Sequence, residues 1–227
     1  MYNKLLQPKV RTILTYCDTK TLAASASAVH HVFCLNSLYD PDVTGGGHQP
    51  AYRDQWKTLY GKYRVTGAKW TIKWAGNRQG RYGLGSAGGT ASGETLPYSD
   101  DTHNNQTTLP GIINWEIKED TNADFTDTND LNFIRETGKK MTHVDYKMTS
   151  ASPSKMYTMK GQVNNKRFFK DPTNAGKSTA FGFSPENKIY LHVGKMSKDG
   201  GTMESYRFDI RIQYTVELSE PANIGTS

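Results

Sequence analysis

The 227-residue sequence predicts an all-β sandwich. Composition points there first. Gly (21) and Tyr (13) are numerous, Thr, Ser and Asn are abundant, and Ala and Leu are too sparse for a helical protein. Segments rich in β-branched and aromatic residues recur between turn-forming clusters. Long polar loops, with no helices between them, join these segments, which favours a sandwich over a parallel α/β sheet.

Eight strands are predicted, at Lys9–Cys17, Val29–Asn36, Tyr63–Trp74, Gly111–Lys118, Lys140–Met148, Lys155–Val163, Lys188–Met196 and Tyr206–Leu218. The last is the clearest. Tyr206, Phe208, Ile210, Ile212, Tyr214, Val216 and Leu218 alternate without a break with Arg207, Asp209, Arg211, Gln213, Thr215 and Glu217. That is the period of a strand with one buried face. On the Tyr63–Trp74 strand, Lys69 and Lys73 take one parity, while Thr66, Ala68, Trp70, Ile72 and Trp74 are expected on the other. One short helix is predicted at Tyr52–Tyr60, where Tyr52, Trp56, Leu59 and Tyr60 share a face and Pro50 suits the entry.

Long polar loops are expected at Asn77–Pro110, Glu119–Gly138 and Phe168–Asn187. Loops of this length commonly carry interaction surfaces. No repeat and no clean linker divides the chain, so residues 1–227 read as a single domain.

Mean hydropathy is −0.70, and no apolar run approaches the ~18–20 residues needed to cross a bilayer. Met1–Arg11 lacks the long apolar core of a signal peptide, so no membrane or secretory role is expected. Cys17 and Cys34 do not make a disulfide framework or a metal site and read as two buried free thiols.

No catalytic grouping emerges, and the chain reads as a non-enzyme with no cofactor and no metal. Gly45-Gly46-Gly47-His48 lacks the Lys-Ser/Thr of a phosphate loop, and the 83–88 glycine run follows no strand-to-helix junction. Asp40-Pro41-Asp42 is turn chemistry, without the further carboxylates of a calcium loop. His30 and His31 point to opposite faces of a strand and cannot jointly chelate an ion. His48, His103, His143 and His192 are isolated. Asn105-Gln106-Thr107 matches a glycosylation acceptor by pattern alone.

The basic residues are more informative. The formal net charge is +6, with no Lys/Arg block. Lys9 and Arg11, Lys69 and Lys73, and Arg207 and Arg211 fall on the polar parity of three different strands. If those strands share a sheet, one of its faces is positive and can neutralise phosphates without sequence preference.

The run from Phe33 to Pro50 reads Phe-Cys-Leu-Asn-Ser-Leu-Tyr-Asp-Pro-Asp-Val-Thr-Gly-Gly-Gly-His-Gln-Pro. It continues through Asp54-Gln55-Trp56 and Leu59-Tyr60 to Tyr63-Arg64-Val65-Thr66-Gly67-Ala68-Lys69. This resembles the capsid proteins of small circular single-stranded DNA viruses that encode a replication initiator, the circovirus-like group. Lys166-Arg167-Phe168-Phe169 and Tyr190-Leu191-His192-Val193 follow the order of that family more loosely. The resemblance implies a single jelly-roll of two four-stranded antiparallel sheets. It implies a coat protein that self-assembles into a small icosahedral, T=1-like shell of about 60 copies around a circular single-stranded DNA genome. The location would be the virion, assembled inside the host cell with the nucleus as one candidate compartment, and the host attachment factor is unknown. The family's long Arg-rich N-terminal arm is not present in this chain. On this reading Lys9, Arg11, Lys69, Lys73, Arg207 and Arg211 contact DNA, and Tyr39, His48 and Trp56 anchor a subunit interface. The competing reading is a non-viral jelly-roll that binds a carbohydrate or another ligand.

Overall fold

The computed structural model describes residues 6–23, 25, 27–44, 47–76, 111–119, 121, 144–146, 157–170, 177–197 and 206–222. The expected loop over 77–110 and most of 119–138 lie outside the described residues. So do Gly45, Gly46, the 83–88 glycine run, His103, His143 and Asn105-Gln106-Thr107.

The elements are β1 (Lys9–Leu22), β2 (Val29–Cys34), α1 (Arg53–Leu59), β3 (Tyr60–Gly76), β4 (Gly111–Lys118), β5 (Val144–Tyr146), β6 (Tyr157–Asn164), α2 (Asn165–Phe169), β7 (Thr179–Ala180), β8 (Tyr190–Ser197) and β9 (Tyr206–Pro221). One sheet runs β1-β9-β3-β6, with β7 beside β3, and the other runs β2-β8-β4-β5. Every pairing is antiparallel.

With the two-residue β7 set aside, the first strand pairs with the last, β2 with β8, β3 with β6 and β4 with β5. That is one long antiparallel ribbon rolled up on itself, which defines the jelly-roll sandwich. The predicted strands all fall on observed ones. The structure adds β7, which makes the first sheet five-stranded, and a second helix, α2. Two residues are too few to carry a periodic signal, and a single helical turn shows no face.

The core forms where the inner faces of the sheets meet. Every inward residue of β9 named above, from Tyr206 to Leu218, is buried. They meet Leu14 and Tyr16 of β1, Tyr63, Val65, Trp70, Ile72 and Trp74 of β3, and Phe33, Leu191 and Val193 of the opposite sheet. Burying each large apolar side chain contributes ~1.5–3 kcal/mol, and this term dominates the stability. Polar groups also cross the gap. The Tyr214 hydroxyl donates to the Cys34 carbonyl over 2.8 Å.

Three local expectations are corrected. A register shift falls between Val65 and Gly67 on β3. A bulge of this kind inverts side-chain parity beyond it. Val65 is therefore inward and Ala68 is inward again, while Thr66 is not, its Oγ1 donating to the Thr215 carbonyl at 3.2 Å. Tyr52 does not join the buried face of α1, because it occupies the N-cap with φ 63° and stands 72% exposed. Cys17 is exposed, because its odd position on β1 points away from the core; Cys34 is buried, and burial pushes its thiol up to about 11.

Candidate nucleic-acid interface

Register brings the six predicted basic residues onto one surface. β9 lies between β1 and β3, and odd-numbered residues of β1 and β9 face outward together. Lys9 and Arg11 stand beside Ser219 and Glu217, and Cys17 and Thr21 beside Arg211 and Arg207. On the other flank of β9, Lys69, Thr71 and Lys73 stand beside Gln213, Arg211 and Asp209. β6 extends the surface with Lys160 opposite Thr71 and Gln162 opposite Lys69. All six predicted residues are exposed.

Sequence reading missed three further cations of this face, Lys62, Arg64 and Lys160. Lys160 shares its parity with Thr158, Gln162 and Asn164 on β6, opposite to the buried Met159, and that alternation is the signal that marks it as outward. Arg64 lies before the bulge, where extrapolation from Lys69 puts it on the wrong side.

Three carboxylates of these four strands meet this face among the described residues: Glu217, Asp209 and the exposed Glu220, which pairs with Lys62 at 2.7 Å. The first two differ in what they engage. Glu217 gathers Arg64 at 3.0 Å, Lys9 at 3.6 Å and Arg11 at 3.7 Å. Burial pushes its carboxyl up, but Arg64, Lys9 and Arg11 more than reverse this and hold it below the usual range. Asp209 accepts from the Thr19 hydroxyl at 2.7 Å. Lys69, Lys73, Lys160, Arg207 and Arg211 take part in no ion pair among the described residues. Strands lie ~4.8 Å apart and alternate outward residues ~6.8 Å apart, so these cations sit within about one Debye length of their neighbours. Their fields add, and no carboxylate among the described residues pairs with these five.

The conspicuous Tyr39–Pro50 segment has a different job. Asp42, the second carboxylate of Asp-Pro-Asp, is buried and accepts from Lys20 Nζ at 2.6 Å and from the Thr44 amide and hydroxyl at 3.0 and 2.7 Å. Its Oδ1 also lies 2.9 Å from His31 Nε2. Lys20 reaches on to Asp18 at 2.9 Å, and Tyr16 donates to Asp18 at 2.6 Å. Burial pushes the Asp42 carboxyl up, but the Lys20 and Thr44 hydrogen bonds outweigh it and bring it to about 2. Burial lowers the His31 pKa, and the opposing pull of Asp42 does not reverse it. A Cβ on Gly47 would fall 2.6 Å from Asp42 Cβ and 2.9 Å from the Tyr16 hydroxyl, so the turn closes only over glycine there. No group of three His, Cys, Asp or Glu side chains that could hold a metal ion occurs among the described residues.

The three aromatic anchor candidates each engage their own chain. His48 stacks on Tyr16 with ring centroids 4.8 Å apart. Trp56 packs at 6.0 Å from Tyr60 against the core. Tyr39 lies 5.6 Å from the guanidinium of Arg53. Arg53 is buried, donates to the Phe181 carbonyl and to Gln49 Oε1, and pairs with Asp54 at 2.6 Å. Tyr39 beside it (45%), Tyr52 just before it in the chain (72%) and Phe183, two residues past Phe181 (68%), are exposed to solvent.

No known family profile matches the sequence. No curated protein matches it either. Several solved structures are similar in shape. One is the decameric BFDV capsid protein, 11% identical, over 92% of this chain and 98% of that one, with a TM-score of 0.39. Another is the mud crab tombus-like virus, 10% identical over 98% and 86%, with a TM-score of 0.44. A third is the Macrobrachium rosenbergii nodavirus virus-like particle, 11% identical over the whole of both chains, with a TM-score of 0.43.

Proposed function

We propose that this chain is a viral coat protein that assembles with copies of itself into a small icosahedral, T=1-like shell around a circular single-stranded DNA genome. The observation that carries the reading is the cation surface on β1, β9, β3 and β6, on which Lys69, Lys73, Lys160, Arg207 and Arg211 make no ion pair among the described residues. It belongs to a jelly-roll, an architecture used by viral coats, whose sequence over residues 33–69 resembles that of circovirus-like capsids. The basic face lies toward the lumen. Lys69, Lys73, Arg207 and Arg211, with Lys160, take phosphates directly. Lys9 and Arg11 contact DNA from within their cluster on Glu217. Such contacts neutralise the backbone and read no sequence.

The subunit contacts fall on the aromatic surface around Arg53, with Tyr39 as an anchor, and on the Trp56 helix and the His48 turn that support it. Aromatic side chains beside arginine are the usual energetic centres of interfaces. One contact repeated about a rotation axis closes a shell. The location that goes with this reading is the virion.

Light scattering and negative-stain imaging of the purified chain, at low and high salt and with added single-stranded DNA, test it. Uniform closed particles whose absorbance ratio at 260 to 280 nm reports packaged nucleic acid are expected. A chain that stays small, with or without DNA, overturns the coat reading and returns the choice to a ligand-binding jelly-roll.

A further inference from the structure

Thr71 stands among the cations of the basic face that make no ion pair. It is an outward residue of β3, between the buried Trp70 and Ile72. Its ladder partner on β9 is Arg211, and its ladder partner on β6 is Lys160. Lys69 and Lys73, two residues to either side on β3, share its face. Among the described residues of this face, no other position has a cation at every neighbouring position, both along its strand and across both ladders.

The ring has a polar floor. Threonine is short and its neighbours here are long, so the position is a low point ringed by ammonium and guanidinium side chains. Thr71 is half-buried, and Lys69, Lys73, Lys160 and Arg211 are exposed. The Thr71 hydroxyl makes no hydrogen bond among the described residues and is left to donate. Asp209, the nearest carboxylate along the ladders, pairs in register with Lys73 and so lies diagonal to Thr71. Its Oδ1 accepts from Thr19 on β1, the flank of β9 away from β3.

Ladder neighbours lie ~4.8 Å apart and alternate residues along a strand ~6.8 Å apart, so all of these charges fall within about one Debye length of Thr71. They repel one another. An oxyanion set between them relieves that repulsion, and its oxygens accept from the cations and from the hydroxyl. Arg211 brings the planar fork that grips two phosphate oxygens, and the lysines act as point charges. We propose that the ring around Thr71 is a discrete seat for one phosphate group, carried there by the backbone of a single-stranded nucleic acid. This rests on reading the basic face as a nucleic-acid interface.

Fluorescence anisotropy of a labelled oligo-dT on the full chain, at fixed salt, tests the seat. Thr71→Glu puts a carboxylate inside the ring. Thr215→Glu puts the same charge on the same face, opposite Ile13 and Gly67 and between Gln213 and Glu217, where no neighbour is a cation. Thr71→Glu is expected to lower affinity about tenfold or more, and Thr215→Glu less than about threefold. Thr71→Val keeps the branched shape that strands favour, so it guards against misfolding, and loss of the hydroxyl is expected to cost about fivefold. Equal losses for the two glutamate variants, or an unchanged Thr71→Val, would show a diffuse field and overturn the seat. Inorganic phosphate, titrated calorimetrically at matched ionic strength, separates the source of the group. Phosphate binding that Thr71→Glu abolishes, in a chain that takes up no oligo-dT, would overturn the nucleic-acid reading and leave the seat standing as an anion site. Binding of neither probe would overturn both.

Discussion

Lys20 Nζ lies 2.6 Å from Asp42 Oδ2, joining β1 of one sheet to the turn that follows β2 of the other. The two strands belong to different sheets and share no hydrogen-bonded ladder, so this ion pair latches the sandwich at that end. It is buried on the Asp42 side and shared with Asp18 and His31.

The latch sets an acid limit. Asp42 titrates near 2 in the folded chain against an ordinary value of 3.8. A depressed carboxylate stabilises fully above its unfolded pKa, and that contribution fades as pH falls through the folded one. The contribution is therefore complete above about pH 5 and disappears between roughly pH 4 and 2. Asp42→Asn is expected to cost about 2 kcal/mol at pH 7 and to raise the midpoint of acid unfolding. Urea titrations at pH 7, 4 and 2.5, or circular dichroism against pH, measure this. Equal stability of variant and wild type at pH 7 would show that the latch carries no net weight.

The basic face separates folding from nucleic-acid retention. Arg207→Gln with Arg211→Gln alters two exposed residues without ion pairs among the described residues. Thermal unfolding is expected to be nearly unchanged. Affinity for single-stranded DNA falls, and the slope of log affinity against log salt drops by about 0.7 for each phosphate that is no longer neutralised. An unchanged salt slope would remove these two arginines from the interface.

Lys9 and Arg11 differ from that pair in a measurable way. Both are engaged by Glu217. Glu217→Gln releases them and Arg64 together, so DNA affinity is expected to rise at low salt and its salt slope to steepen. Electrophoretic mobility shifts across a salt series report it. A fall in affinity would mean that Glu217 orders the cations for binding.

Trp70 lies across Gly161 of β6, directly opposite it in the ladder, and meets Trp115 edge-on at 4.5 Å. A Cβ at position 161 would collide with the Trp70 ring. Gly161→Ala is expected to destabilise the chain by ~1–3 kcal/mol through overpacking, read from chemical denaturation. A neutral result would show that the indole can move aside.

Assembly is expected to depend on the exposed aromatics rather than on the core. Tyr52→Ser with Phe183→Ser removes two apolar side chains that stand mostly in solvent. The folded subunit is expected to survive with the same melting temperature, while particle yield by light scattering falls at least tenfold. Particles forming at wild-type yield would place the subunit contacts elsewhere.

Alternation and turn chemistry, both local properties, determined which segments became strands here. The unbroken pattern from Tyr206 to Leu218 specified its buried face, and all of those apolar residues are buried. The same period marked Arg207 and Arg211 as outward. The segments that alternation did not mark were a two-residue β7 and a one-turn α2, each too short to show a period.

Tertiary structure decided which strands became neighbours, because pairing depends on contacts far apart along the chain. Residues 9 and 219, or 69 and 213, meet only once the ribbon is rolled. That decision turned three separated pairs of cations into one surface, and set Glu217 against one of those pairs. It also made Asp42 a buried anchor for a lysine on another sheet, where the sequence showed only a turn. Parity from Thr66 back to Lys62 was likewise unreadable from Lys69 and Trp70, since a bulge inserts one residue without altering composition. Where a strand's ladder is regular, sequence fixes its faces by a period of two, and only packing says what each face meets.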